Sequence, residues 1–335
     1  MTALDTIIGH DSTVSTLQRS IKSGGRFSHA MLFNGPPSVG KRTTALAFLQ
    51  ALHCRSRGDD GNRLQSCGEC PACQRFQQRT HPDFTYLTVE EGKTRISIDQ
   101  IRALCHFLTL SSLEGGWKSA LIDDAVFLSE GAANALLKTL EEPTPKTVLI
   151  LVTERPGALL PTIRSRCNQL RFSPLDEASL RAIILQQEKR QERSLPTEQH
   201  MKRVDAALFL SGGRIDTALA AVRDENQMEL WETFSHAWES FTITDLAKMN
   251  QLAEKWGKET LFPRIMRFIS LKLFHLLKQN VREQKSGIEV RRLIDLQKAS
   301  HNLRDQQESY NTNRRLILES LFIRIAMIRN SASNR

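Results

Sequence analysis

The nine residues Gly-Pro-Pro-Ser-Val-Gly-Lys-Arg-Thr at positions 35–43 follow the nucleotide-binding P-loop motif G-x-x-x-x-G-K-[ST] from Gly35 through Gly40 to Lys41. A short apolar strand at residues 30–34 leads into them, and a helix rich in Ala, Leu and Phe is predicted from Lys41 towards His53. A strand, a glycine-rich loop and a helix in this order are the structural context that the motif requires. The sequence therefore predicts a phosphate-binding loop in an α/β domain.

The motif fails at its next position, which should carry a hydroxyl that ligates Mg²⁺ and instead carries Arg42, with Thr43 one residue further on. Asp123 and Asp124 follow a predicted buried strand. A carboxylate at such a strand end holds Mg²⁺ in P-loop NTPases, so Asp123 is the candidate metal ligand and Asp124 the candidate that orients the attacking water. Thr153 ends the next strand and is a candidate sensor of the γ-phosphate. The alternative is that these three residues simply terminate strands and cap turns.

The first half of the chain alternates predicted strands with predicted helices. Further strands are expected at residues 84–89, 119–122 and 147–152, and Asp11 and Asp99 are candidate caps of two helices. Near-continuous apolar strands separated by helices indicate a parallel sheet that is covered on both faces. After Pro174 the strand signal vanishes and helical periodicity continues to the end. These patterns predict three domains, listed as residues 1–173 (α/β P-loop), 174–223 (small, helical) and 224–335 (helical).

Four of the six cysteines are grouped with the spacing C-x12-C-x2-C-x2-C, at Cys54, Cys67, Cys70 and Cys73. Two overlapping C-x-x-C steps allow thiolates to converge on one ion, and four sulfur ligands are typical of structural, tetrahedral Zn²⁺. The protein supplies all four ligands, so this zinc would not be catalytic. The alternative is a set of unrelated free thiols. The other two cysteines, Cys105 and Cys167, stand apart and are expected to be small buried residues.

The chain has 335 residues, of which 40% are hydrophobic and 25% charged, and a net charge of +9. This length predicts two or three domains, and this composition predicts a globular protein. No apolar run reaches transmembrane length, and residues 1–5 lack the basic and apolar regions of a signal peptide. We therefore expect a cytoplasmic protein without a membrane partner. The positive charge suits a partner such as DNA, although charge alone also serves solubility.

Arg166 lies in the sequence Arg-Ser-Arg-Cys at residues 164–167, after a predicted helix that begins at Pro161. Arginine presents planar, permanently charged donors that suit the charge developing on a transferred phosphoryl group. Arg166 is therefore a candidate arginine finger. The alternative is an ordinary surface arginine, since most exposed arginines have no such role.

Several segments together resemble the clamp-loader subunits of bacterial DNA polymerase III, which are AAA+ proteins. The resemblance is strongest over residues 29–172 and includes the P-loop and the four cysteines. Its other carriers are His29-Ala-Met-Leu-Phe33, Thr80-His-Pro-Asp83, Ile98-Asp-Gln-Ile-Arg102, Ala132-Ala-Asn-Ala-Leu-Leu-Lys-Thr-Leu-Glu-Glu-Pro143, Ser165-Arg-Cys167, and Asn311-Thr-Asn313 with Leu316, Leu318 and Glu319.

This resemblance implies an α/β AAA+ domain of RecA-like fold at residues 1–173, with a zinc module at about residues 54–73. It also implies a helical lid domain at 174–223 and an all-α collar domain at 224–335. Related subunits form a hetero-pentameric ring of gamma/tau, delta and similar chains, which opens a sliding clamp and closes it around primed DNA. By this similarity Arg166 would act in trans, on ATP held by an adjacent gamma or tau subunit.

The chain departs from active members of the family at positions that serve catalysis. Those members carry Gly where this chain has Ser38, Thr where it has Arg42, and Glu where it has Asp124. Asp216 stands at the place of their sensor arginine, with Arg214 two residues earlier. Because phosphoryl transfer depends on joint positioning, these losses predict a subunit that hydrolyses little or no ATP and is not catalytic alone.

Two other functions stay open from the sequence. Lys41 and the backbone amides of the loop are retained, so ATP with Mg²⁺ could still bind, and an active ATPase subunit of the gamma/tau type is the main alternative. A free, zinc-dependent nucleic-acid-binding protein would rest on the cysteines and the net charge alone. It would leave the P-loop unexplained.

Overall fold

Five parallel strands form a sheet in the computed structural model. The strands are β1 (Ala30–Asn34), β2 (Phe84–Leu87), β3 (Lys118–Ile122), β4 (Thr147–Thr153) and β5 (Asn168–Arg171). Their order is β2-β3-β4-β1-β5, and every neighbouring pair is parallel. Since β1 pairs with β4 in the register Asn34↔Thr153, the loop after β1 begins beside the end of β4. Ligands of open parallel sheets bind at such carboxyl ends, where the strand order reverses.

The structure describes residues 3–22, 27–56, 66–190, 198–241, 245–284, 287–310 and 313–333. Residues 57–65 of the predicted zinc module, and Asn311 and Thr312 of the motif near the C-terminus, lie outside the described residues. The chain divides into two compact units, Met1–Arg193 with Gly213–Asp216 and Ser194–Gly212 with Thr217–Arg335. The division into three domains remains a prediction.

Helices cover both faces of the sheet in the first unit. The helices of this unit are α1 (Asp11–Lys22), α2 (Lys41–His53), α3 (Pro71–Gln77), α4 (Ile98–Thr109), α5 (Glu130–Glu141), α6 (Pro161–Arg166) and α7 (Glu177–Arg190). One apolar cluster joins Leu17 of α1 and Phe48 of α2 to Phe33 of β1. A second cluster joins Ile101 of α4 and Leu136 of α5 to the opposite face of the sheet. The parallel sheet covered on two faces is therefore confirmed.

Some local predictions were wrong in detail. Ser97, and not Asp99, caps α4, because its Oγ accepts the Gln100 N–H at 3.3 Å while Gln100 Oε1 accepts the Ser97 N–H at 2.9 Å. This reciprocal pair satisfies two helix-end donors at once. Asp11 is the first residue of α1 rather than its cap. Strand β2 ends at Leu87, and the polar edge strand β5 is not predicted by the sequence pattern at all.

The elements described after Arg171 are all helices. Following α7 they are α8 (Glu198–Ser211), α9 (Ile215–Arg223), α10 (Glu225–Glu239), α11 (Leu246–Trp256), α12 (Phe262–Arg282), α13 (Gly287–Tyr310) and α14 (Arg314–Ser333). Aromatic side chains form much of the core of the second unit, where the Phe234 ring lies 5.5 to 5.7 Å from the rings of Trp238, Trp256 and Phe268. Among the described helices, none combines the length and the apolar character needed to cross a membrane.

Candidate functional site

The loop between β1 and α2 has the backbone of a phosphate cradle. The Gly35 N–H donates to the Thr153 carbonyl at 3.3 Å, and a Cβ at Gly35 would lie 2.2 Å from the Phe172 carbonyl oxygen. Gly40 caps α2 in a left-handed conformation, with φ of 101°. Ser38 also has a positive φ, 52°. The loop therefore has a left-handed backbone conformation at a residue other than glycine.

Lys41 is folded onto its own loop. Its ammonium donates to the carbonyl of Gly35 at 2.8 Å and to that of Pro36, and the residue is only 6% exposed. Burial lowers the pKa of Lys41, and the nearby carboxylates of Glu154, Asp124 and Asp123 partly oppose this shift. Lys41, the cation that would bind phosphate, is thus present, and its ammonium is hydrogen-bonded to backbone carbonyls of the loop.

Arg42 reaches the carboxylate that would bind Mg²⁺. Its Nη1 lies 3.3 Å from Asp123 Oδ2, and the same oxygen accepts the Tyr86 hydroxyl at 2.8 Å. The other oxygen, Oδ1, accepts the Asp124 N–H at 3.2 Å. Both oxygens of the buried Asp123 are therefore engaged by protein donors. An Mg²⁺ ion at Asp123 would have to displace these donors and would lie beside the Arg42 guanidinium, so this position does not fit the ion.

Asp124 and Glu154 add two more acidic groups at this end of the sheet. Asp124 has a left-handed backbone, with φ of 55°, immediately after β3. Burial raises the pKa of Asp124, and the negative charges of Asp123 and Glu154 raise it further, while Arg42 and Lys41 oppose the shift. The acidic side chains are thus only partly neutralised by these two cations.

A cavity of about 360 Å³ connects these groups. Its lining includes Gly40, Lys41, Arg42, Thr43, Asp123, Asp124 and Glu154, together with Ser38, Val152, Ile215 and Asp216. Thr43 follows Arg42 on α2, so its hydroxyl points about 100° round the helix from the motif position. The Ile215 N–H donates to the Ser38 carbonyl at 2.9 Å, and Arg214 forms an ion pair with Asp216 at 2.8 Å.

Two predicted site residues do not line this cavity. Gly35 serves the turn of the loop, and Thr153 is 1% exposed, with its hydroxyl accepting the Arg155 N–H at 3.2 Å. Sequence reasoning missed Tyr86 and Glu154. Glu154 could have been found, because it follows the same strand end as Thr153. Tyr86 could not, because its approach to Asp123 depends on the pairing of β2 with β3.

The four grouped cysteines converge at a second place in the first unit. Their Sγ atoms all lie within 4.8 Å of one another, with Cys54 to Cys67 at 3.6 Å and Cys67 to Cys73 at 3.9 Å. A tetrahedral Zn²⁺ with Zn–S bonds of about 2.3 Å places its sulfurs about 3.8 Å apart. The side chains present therefore fit a zinc ion, and Cys70, which caps α3, closes the set.

Backbone donors surround these sulfurs. The N–H groups of Cys67 and Cys70 lie 3.3 Å from the Sγ atoms of Cys54 and Cys67, respectively, and the Cys73 N–H lies 3.5 Å from Cys70 Sγ. Burial by itself raises the pKa of Cys70, but backbone hydrogen bonds from Cys73 and Arg55 outweigh it and lower the pKa to about 6. Burial raises the pKa of Cys54 and Cys73. A bound metal would replace the protons on those two thiols.

Arg166 lies apart from the cavity, as the last residue of α6. Its Nη1 donates to the Thr162 carbonyl at 3.1 Å, and its Nη2 lies 2.6 Å from Oε1 of Glu141. The Arg166 side chain is 36% exposed, so it lies partly in solvent. Cys167 is buried beside it, as predicted, whereas Cys105 is half-buried.

The comparisons with known proteins match the part of the chain that carries these groups. A family profile described as "DNA polymerase III, delta subunit" matches residues 9–176, which is 168 of the 335 residues. The chain belongs to this family. The matched range includes the P-loop, the four grouped cysteines and Arg166. The resemblance drawn from the sequence motifs is thereby confirmed.

Individual relatives in the family carry the names of two kinds of subunit. DNA polymerase III subunit delta' of Pseudomonas aeruginosa is 41% identical over 197 residues, 58% of this chain and 56% of that protein. The delta' subunit of Escherichia coli is 35% identical over 202 residues, 60% of this chain and 57% of that protein. The tau/gamma subunit of Haemophilus influenzae is 34% identical over 185 residues, 54% of this chain and 26% of that protein. The chain thus spans about half the length of the delta' relatives that it matches.

Proposed function

We propose that this chain is a delta'-type subunit of a clamp loader, which assembles with gamma/tau and delta subunits to load a sliding clamp on primed DNA. In this role its own P-loop hydrolyses little or no ATP, and Arg166 acts as an arginine finger on ATP held by a neighbouring subunit. The helices after Pro174 would supply the lid and the collar of the ring. This work takes place in the cytoplasm, beside the replicated DNA.

One observation carries the first part of this proposal. Arg42 stands in the motif position of the Mg²⁺ hydroxyl and is paired with Asp123, the carboxylate that would hold the metal. Without a metal to bridge the phosphates, the loop lacks the main charge that stabilises phosphoryl transfer. Asp124 further weakens hydrolysis, because its side chain is one methylene shorter than the glutamate of active members and would orient the attacking water less well.

The exposure of Arg166 supports the second part. A finger that serves a neighbour has to project from the surface, and Arg166 ends a helix with its side chain partly in solvent. Arginine fingers supplied in trans accelerate hydrolysis by about 10³–10⁵-fold. The Cys54, Cys67, Cys70 and Cys73 cluster would hold structural Zn²⁺ in the same unit, as the fit of the sulfurs supports.

The test of the finger role is a clamp loader reconstituted with gamma/tau and delta subunits. We expect Arg166→Ala and Arg166→Lys both to lower DNA-stimulated ATP turnover, because lysine lacks the planar fork of arginine. Arg19→Ala, an exposed arginine on α1 outside the motifs shared with the family, is the matched control and should leave turnover unchanged. Unchanged turnover in the assembled Arg166→Ala loader would refute the role.

The alternative function, an active ATPase of the gamma/tau type, is favoured by one feature, the retained and buried Lys41. It predicts ATP turnover by the isolated chain that Lys41→Ala abolishes. The proposed function predicts no turnover above background in either protein. This measurement is independent of the reconstituted complex.

A further inference from the structure

The metal position of the P-loop already contains a cation that belongs to the chain. The Arg42 guanidinium lies 3.3 Å from Asp123 and lines the cavity, and its side chain is 61% exposed while that of Asp123 is 7% exposed. Arg42 reaches this place because α2 begins at Lys41, so the next side chain leaves the first turn beside the end of β3. Arg79 lies over the Tyr86 ring at 4.1 Å, which adds a second guanidinium next to the same network.

The charges that line the cavity explain why a cation is needed. Four acidic side chains line it, at Asp123, Asp124, Glu154 and Asp216, and the cationic side chains in the same lining are Lys41 and Arg42. Asp216 is already paired with Arg214 at 2.8 Å, which leaves three acidic groups facing two cations. Lys41 is turned towards the carbonyls of its own loop. Arg42 is therefore the lining cation that directly contacts the acidic pair after β3.

We propose that Arg42 is a built-in counter-ion that takes the place of Mg²⁺, so that this site stays folded without metal or nucleotide and does not respond to either. A divalent cation would have to displace the Tyr86 and Arg42 donors from Asp123 and would then lie beside a fixed positive charge. A nucleotide that arrives without its metal would bring its phosphate charge to a cavity lined by more acidic than basic groups. Binding of Mg²⁺ and binding of a metal-free nucleotide at this site are thus both disfavoured.

This inference deepens one part of the proposed function, the loss of hydrolysis in this loop, and it does not depend on Arg166. Such a counter-ion would also affect how the subunit behaves in the assembly. Subunits that bind ATP through Mg²⁺ can change state with their ligand, because a ligand shifts a conformational equilibrium by its differential affinity. A subunit whose metal position is permanently filled from within has no such ligand and keeps one arrangement of its loop.

The experiment measures thermal unfolding of the intact, zinc-loaded chain in buffers of matched ionic strength, with no addition, with MgCl₂, and with MgADP. Chelators are avoided because they would remove metal from the cysteine cluster. The variants are Arg42→Thr, which restores the motif hydroxyl, and Arg42→Gln, which keeps much of the length of the side chain without its charge. Arg155→Thr is the control for loss of an exposed arginine in the same unit.

For the wild type, the melting temperature is expected to be the same in all three buffers. The same is expected for Arg155→Thr. Arg42→Thr and Arg42→Gln are expected to melt lower in the metal-free buffer and to rise with MgCl₂, and Arg42→Thr should rise further with MgADP. A ligand that binds only the folded state and is present at about 100 times its Kd raises the ratio of folded to unfolded chain about 100-fold, so the shift in melting temperature is measurable.

Two results would overturn the proposal. One is a wild-type chain that MgCl₂ or MgADP stabilises as much as it stabilises the variants, since Arg42 would then not exclude the metal. The other is the absence of any Mg²⁺ response in both folded variants, since Arg42 would then not be what fills the site. Because each readout uses the isolated chain, a failed finger role in the assembled loader would leave these results unaffected.

Discussion

Glu141 and Arg166 form an ion pair, with Glu141 Oε1 2.6 Å from Arg166 Nη2. Each residue is the last of its helix, α5 for Glu141 and α6 for Arg166, so two helix ends hold the candidate finger in place. The pair lies at the surface, with side-chain exposures of 36% for Arg166 and 49% for Glu141. A neighbour's phosphates would therefore compete with Glu141 for the same guanidinium.

Glu141→Gln and Arg166→Ala are expected to change the free energy of unfolding of the isolated chain by less than about 1 kcal/mol, because exposed ion pairs contribute little. Denaturant titration measures this change, with Glu142→Gln as the neighbouring control. The result matters for the finger test, because a folded Arg166→Ala chain attributes any lost turnover to the missing guanidinium. A loss above about 2 kcal/mol in either variant would show that the pair is structural.

The cysteine cluster gives a second prediction. We expect the purified chain to contain zinc, and Cys73→Ser to lose both the zinc and at least about 2 kcal/mol of stability, comparable to the loss of a native disulfide. Cys73 is fully buried, so its loss removes a ligand that no solvent molecule can easily replace. Elemental analysis and denaturation measure the two effects. Cys105→Ser, outside the cluster, should keep the zinc, and zinc retained in Cys73→Ser would contradict the four-sulfur site.

The buried pair of Asp83 and Lys118 leads to a third prediction. Lys118 Nζ lies 3.6 Å from Asp83 Oδ1, and the two side chains are 4% and 1% exposed, respectively. Asp83 also accepts the N–H groups of Leu113 and Glu114 at 2.9 Å and the Ser112 hydroxyl at 2.8 Å. Asp83→Asn should therefore cost about 3–5 kcal/mol, because it leaves a buried ammonium unpaired.

Lys118→Met is expected to cost less than Asp83→Asn, since Asp83 keeps its three other donors. In the double variant the two costs should not add, because the unpaired charge is gone. Denaturant titration of the wild type, the two single variants and the double variant forms a complete cycle. Equal and additive costs would mean that the pair does not interact.

The same pair sets a pH dependence. Burial by itself raises the pKa of Asp83, but hydrogen bonds from Glu114, Leu113 and Ser112 and the charge of Lys118 outweigh it and lower the pKa. A lowered folded-state pKa stabilises the protein above the unfolded-state value of about 3.9, and this contribution is lost as the pH falls through the folded-state pKa. The stability difference between the wild type and Asp83→Asn should therefore shrink below about pH 4. A constant difference from pH 7 down to about pH 3 would contradict the assignment.

Local patterns allowed much of this fold to be predicted. Strand β1 and helix α2 follow from an apolar run, a glycine-rich loop and a helical stretch that adjoin in sequence. Strand β5 was not predicted because an edge strand needs no apolar face, and Asn168–Arg171 contains one apolar residue. The Ser97 cap was missed because Asp99 is an equally good capping residue two positions later.

The candidate site, too, could be predicted from the sequence only in part. Arg42 is visible as a break in a motif, but the motif does not show whether its side chain points into the metal position or away from it. That outcome depends on Tyr86 and Asp123, which come from β2 and from the end of β3 and meet through strand pairing. The partner of Arg166 is equally non-local, since α5 and α6 are separated by β4. Contacts between distant segments are set by topology, which residue spacing does not encode.

The glycines of the loop allow the cost of steric contact and the cost of backbone strain to be measured separately. A Cβ at Gly35 would lie 2.2 Å from the Phe172 carbonyl oxygen, at a φ of 150°. A Cβ at Gly40 would meet no atom within 4 Å, although its φ is 101°. A Cβ at Gly157 would also meet no atom within 4 Å, and its backbone lies outside the left-handed region.

Gly35→Ala should therefore cost more than about 2 kcal/mol, because the strand beside the loop must move. Gly40→Ala should cost about 1–2 kcal/mol from strain alone, and Gly157→Ala less than about 0.5 kcal/mol. Denaturation of the three variants tests this order. Equal costs for Gly35→Ala and Gly40→Ala would show that the Phe172 carbonyl yields freely, and that the close approach of the loop to β5 does not fix the cradle.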